Sequence, residues 1–213
     1  MISKFALRAP LAFLTFALAA GCGVRRVPDS IIDRLPYEAR IELLEAENDL
    51  ALAVDRLDEA HNEVLRTREL IQRAKARYKA ADSEVSNAAD TLSREVAELA
   101  VTEGDARVEY LKAKQRLNVM EEGLASLFLR CAYTRFEQSR LLAARKAKLE
   151  GSESLDPVDF ENDVKACDEK HAAEKAGMKE SEGEATALRA SWDATKEKLA
   201  KKTFDARASP YVE

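Results

Sequence analysis

LLEAENDLALAVDRLDEAHNEVLRTRELIQRAKARYKAADSEV occupies residues 43–85. An apolar residue returns every seven places along it, at Leu43, Leu50, Leu57, Val64, Ile71, Tyr78 and Val85, and the step continues to Leu92 and Leu99. Three places after each of the first seven stands a second row: Ala46, Ala53, Ala60, Thr67, Ala74, Ala81 and Ala88. A seven-residue repeat with apolar positions three and four apart is the pattern of packed helices, whereas a strand alternates at every second residue. The second row is almost entirely alanine, and small side chains let helix axes approach toward the short end of the usual range of about 8–10 Å. The stretch therefore predicts an all-α protein, a long antiparallel helical hairpin or coiled coil of two or three helices.

Toward the C-terminus the first row keeps its phase through Ala106, Ala113, Met120, Leu127, Thr134 and Leu141. Its companion row changes offset, to Tyr110, Leu117, Leu124 and Cys131. VTEGD at 101–105 separates the two halves, with Gly104 placed to end one helix and Asp105 to cap the next. Two arrangements follow for residues 37–150, which contain no proline. The chain reverses near 101–105, or one helix runs unbroken for about 170 Å and its exposed seam is covered by another chain. Gly151 then stops the helix, residues 151–156 form a loop, and Asp156 with Pro157 opens a last antiparallel helix over 157–206. Its core candidates are Val164, Met178, Ala185, Leu188, Trp192 and Leu199, while Gly177 and Gly183 weaken its middle. Residues 207–213 read as a frayed tail.

Toward the N-terminus, residues 22–36 contain Pro28 and Pro36 and lack helical periodicity, which reads as a tether. Ahead of it, Lys4 and Arg8 form a basic start, and residues 9–24 carry no charge. That apolar stretch is shorter than the roughly 20 residues needed to span a bilayer, but it suits the core of an export signal. Two processing sites compete. Ala17-Leu18-Ala19 fits ordinary signal removal, while Leu18-Ala19-Ala20-Gly21-Cys22 resembles the lipobox of bacterial lipoproteins. In that family the cysteine is acylated and the chain is cut just before it. The resemblance implies a signal peptide over 1–21 and membrane attachment through lipid on Cys22. Gly23, rather than aspartate, follows that cysteine, which implies the outer membrane with the protein facing the periplasm.

The three cysteines are Cys22, Cys131 and Cys167. Lipid on the first leaves an even number for an oxidising compartment. In a tight hairpin, Cys131 and Cys167 would lie about 13 Å apart along the axis, beyond the roughly 7 Å a disulfide bridges. If residues 151–156 instead run extended alongside the preceding helix, the last helix starts beside Leu141 and the two cysteines face each other. The sequence on this reading predicts an intramolecular disulfide, the alternatives being two buried thiols or a bond between chains.

The net charge of −5 is spread over interspersed acids and bases, which gives no clustered basic face for nucleic acid. Glu169, His171 and Glu174 lie close together on a helix but make a poor metal set. No nucleophile elbow, phosphate loop or paired-carboxylate cleft is present. The expectation is a non-enzymatic lipoprotein with no cofactor, metal or small-molecule substrate. It would act as a periplasmic scaffold, spacer or docking subunit of an envelope complex, meeting a protein partner or a second copy through the helical seam. The alternative is an accessory component of a transport or secretion conduit.

Overall fold

The structure, a computed structural model, describes residues 24–203. Cys22, the signal peptide expected over 1–21 and the tail at 207–213 lie outside them. The protein is all-α, and the described residues contain no strand. Two short helices, α1 (Asp29–Ile32) and α2 (Tyr37–Ile41), lead into the long helices α3 (Leu44–Asn87) and α4 (Thr91–Lys146). A single 3₁₀ turn (Ser152–Ser154) precedes α5 (Pro157–Gly177) and α6 (Lys179–Thr203).

The chain reverses at residues 88–90, neither at 101–105 nor through an unbroken helix to residue 150. Ala88 and Asp90 are extended, and the Asp90 carboxylate accepts the Ser93 backbone N–H at 2.7 Å and its hydroxyl at 3.0 Å. Those bonds hold the Asp90 carboxyl below its ordinary range, the backbone bond most strongly. From this turn α3 and α4 pack antiparallel: Gly104 lies against Tyr78, Asn118 bonds Thr67 at 2.8 Å, and His61 meets Glu122 at 2.7 Å. Gly104 stays inside α4 because its missing side chain serves packing. A Cβ there would stand 3.4 Å from the Tyr78 Cα. Asp105 is accordingly a mid-helix residue, not a cap. The alanine row of α3 is filled from within the chain: Ala53, Thr67 and Ala74 are buried under α4.

α4 ends at Lys146, short of residue 150. Lys148 takes a left-handed conformation (φ 52°), its N–H bonds the Arg145 carbonyl, and the Leu149 N–H reaches back to the Ala144 carbonyl. This double bond pattern satisfies the free carbonyls of a helix end. Gly151, also left-handed, turns the chain onward. α5 then opens as its sequence dictates, with Asp156 accepting the Val158 N–H and Pro157 in the first turn. The last helix is not continuous from 157 to 206, since it divides at Met178, between Gly177 and Lys179.

α4 is the central element, with α3 on one side and α5 and α6 on the other. Ile71 and Ala74 from α3, Val108, Tyr110 and Leu111 from α4, and Trp192 from α6 form one core cluster. Trp192 is 0 % exposed. Its ring stacks on Tyr110 at 5.5 Å, and its indole N–H donates to Glu103 Oε1 at 2.6 Å. Arg189 covers the indole at 4.5 Å. Of the other core candidates, Met178, Ala185 and Leu199 are buried, and Val164 and Leu188 are half-buried.

Residues 24–36 are not a free tether. Val27, Ile31 and Leu35 are buried, and the first two pack with Leu141, Ala144 and Phe160. Leu35, Ala39 and Leu43 cover Ala143 on the same turn of α4. The prolines that argued for a linker stand just ahead of α1 and α2, where a missing N–H costs nothing.

Candidate functional site: the N-terminal clasp and the disulfide

The segment that follows Cys22 enters the bundle in the groove between α4 and α5. Arg25 pairs with Asp159 and, at 3.0 Å, with Asp163, two residues one turn apart on α5. The Arg26 guanidinium lies 5.4 Å from the centre of the Tyr133 ring on α4. The Val27 backbone N–H donates to Glu137 Oε2 at 2.8 Å. A segment outside any regular ladder must find acceptors for its N–H groups, and here a side chain supplies one.

Glu137 is the centre of this clasp. It is 0 % exposed. Its other oxygen accepts from Arg140 Nη1 at 2.7 Å, and Arg140 Nη2 reaches Asp29 Oδ1 at 2.5 Å. Burial pulls the Arg140 guanidinium down, but its bonds to Asp29 and Glu137 outweigh that, and its net displacement is upward. A buried carboxylate is tolerable only when its acceptor positions are filled, and the backbone N–H and the guanidinium fill them. The ion pairs of Arg25 are about half exposed and individually contribute little. Burial of Val27, Ile31 and Leu35, at about 1.5–3 kcal/mol each for full burial, therefore does most of the holding. The polar groups fix the register.

Cys131 and Cys167 are joined as a disulfide, with Cα atoms 5.5 Å apart. The last helix does start beside Leu141, where Phe160 of its first turn packs, but residues 151–156 are not extended: α4 ends early at Lys146, and Gly151 with the 3₁₀ turn at Ser152–Ser154 makes the return. The bridge ties α5, which carries Asp159 and Asp163, to α4, which carries Tyr133 and Glu137. Arg135 and Asp168 pair next to it. The clasp thus spans two helices that are covalently linked one to two turns away.

Sequence reasoning reached Cys131 and Cys167 but missed Glu137, Arg140 and Phe160. The available signal was slight: Glu137 and Arg140, a carboxylate and a guanidinium three places apart, follow Phe136 and precede Leu141. His171 joins no metal set. Its ring lies tilted against Phe128 at 5.6 Å, and no cluster among the described residues has the makings of a metal site. At the far end, a groove of about 850 Å³ runs beside the α3–α4 turn, lined by Leu92, Val96 and Lys202 among others. Leu92, which the heptad count placed on the seam, is 60 % exposed there because it lies beyond the reversal. No described helix is long and apolar enough to cross a membrane. Comparison of the chain with known protein families, with curated proteins and with solved structures yields no match.

Proposed function

We propose that the protein is a non-enzymatic lipoprotein of the bacterial outer membrane, held by acyl chains on Cys22, and that its helical rod serves as a scaffold or docking subunit in the periplasm. The observation that carries this reading is Leu18-Ala19-Ala20-Gly21-Cys22 behind a basic start and an uncharged apolar stretch. Two further features support it. Cys131 and Cys167 are bonded to each other, as suits an oxidising compartment, and Cys22 is the cysteine left over. The segment just after Cys22 is clasped to the bundle, so a pull on an anchor there would pass directly into α4 and α5. With the alanine row of α3 covered by α4, the surfaces open to a partner are the outer faces of the rod and its tip around Leu92.

Labelled palmitate tests the anchor: it enters the wild-type protein and not Cys22→Ser. Incorporation that is equal in the two, or absent from both, overturns the reading. Affinity capture with crosslinking from envelopes tests the scaffold role, with envelope proteins expected as partners. Recovery of a transport or secretion channel as the main partner would move the reading to a conduit accessory.

A further inference from the structure

We infer that the membrane-facing surface of the protein is the flank between α4 and α5, and that the rod lies tilted along the lipid surface rather than standing on its end. The inference rests on Cys22 carrying the lipid. The contacts of the entering segment give its level along α4. Arg26 lies at Tyr133, Val27 at Glu137, Asp29 at Arg140, Ile31 at Gly151, and Arg34 at the Glu150 carbonyl. The chain therefore joins the rod at the level of Tyr133 and travels toward the closed end, where α4 stops at Lys146. At 1.5 Å per residue that entry is about 20 Å short of the helix end.

Cys22 precedes Arg25 by three residues, and three extended residues reach about 10 Å. Acyl chains on Cys22 must sit in the bilayer, so Arg25 is held within about that distance of the headgroups. A leash of about 10 Å does not cover the 20 Å to the closed end. With the clasp shut, the rod has no means of standing upright on that end.

The surface beside the clasp suits this contact. On α5, Val158, Asn162 and Ala166 form an exposed uncharged strip next to Asp159 and Asp163, and Val158 is 58 % exposed. The face of α4 turned the other way, through Ala132, Arg135 and Ser139, shares a groove with Arg56 of α3. The outer side of α3 thus points away from the lipid.

A photo-crosslinking amino acid at Asn162, at Asp55 on α3 and at Glu153 on the closed end tests the orientation in the full-length protein in native envelopes. All three are exposed, so the fold is retained. Asn162 is expected to crosslink phospholipid several-fold more than Asp55 or Glu153. With palmitate incorporated, equal labelling of Asn162 and Asp55, or labelling chiefly at Glu153, overturns the orientation. Failure of palmitate to enter the protein overturns the anchor, and the orientation with it. A flexible eight-residue spacer inserted after Gly23 should leave palmitate incorporation unchanged and reduce the Asn162 preference several-fold. Persistence of the full preference would overturn the role of the short leash.

Discussion

Glu137 decides more than any other single residue, because one buried carboxylate holds a backbone N–H from the entering segment and a guanidinium from its own helix. Glu137→Ala leaves both donors without that acceptor. Breaking a buried pair from one side costs about 3–5 kcal/mol, so a loss near the lower bound is expected in urea denaturation, since Arg140 keeps Asp29. Glu137→Gln retains an acceptor for Val27 and should lose less than half as much. Accelerated amide exchange at Val27 in the alanine variant would localise the effect to the clasp, and unchanged exchange there would contradict it. Glu121 behaves in the opposite sense. Partial desolvation first, then the charges of Glu182 and Glu63, push its carboxyl above the ordinary range. A carboxyl raised on folding costs stability while ionised, and the cost fades as pH falls through the folded value. Glu121→Gln should therefore stabilise at neutral pH, by only a few tenths of a kcal/mol because the residue is exposed and screened. Thermal melts between pH 7 and pH 4 should show the advantage shrinking on acidification. None of this is visible in sequence, where Glu121 and Glu137 look alike.

At the scale of elements, glycine shows how one residue type takes different roles. Gly123 and Gly183 sit inside α4 and α6 with open space where a Cβ would go. Alanine at either should add up to about 1 kcal/mol, the difference in helix propensity, read as a raised urea midpoint with unchanged slope. Gly104→Ala should gain less, because its Cβ meets Tyr78 at 3.4 Å, and Gly104→Leu should lose stability. A larger gain at Gly104 than at Gly183 would show that the close approach of α3 is not maintained. The same distinction separates the turn that the sequence offers at 101–105 from the one observed at 88–90. VTEGD carries a glycine and an aspartate, the usual marks of a helix boundary, yet Gly104 is there for packing. The true turn, at Asn87-Ala88-Ala89-Asp90, has neither glycine nor proline, and its marks are the Asp90–Ser93 cap and the end of the alanine row at Ala88. The seven-residue phase ran straight through it by coincidence of spacing. The companion row broke at Ala88, and that break marked the reversal.

For the molecule as a whole, the disulfide and the N-terminal clasp join α4, α5 and the segment ahead of α1 into one unit. The bridge closes a loop with a sequence separation of 36 residues, for which the chain-entropy treatment gives about 3–4 kcal/mol. The double variant Cys131→Ser, Cys167→Ser should lose stability by about that amount and migrate like the reduced wild type on a non-reducing gel. Equal stability of the reduced and oxidised protein would show that packing of Phe160 and Leu141 alone holds α5. The sequence by itself determined the helical class, the opening of α5 at Asp156 and Pro157, and most of the buried face of α6, because each follows from local periodicity and capping. Whether Cys131 meets Cys167 depended on where the last helix starts, which the sequence tied to an extended path of residues 151–156 and the tertiary structure achieved with a shorter α4 and a 3₁₀ turn. Where the chain reverses and how residues 24–36 are used were decided by tertiary packing alone. Those outcomes turn on which distant side chains come to lie opposite one another, and a short stretch of sequence carries no record of its partner across the bundle.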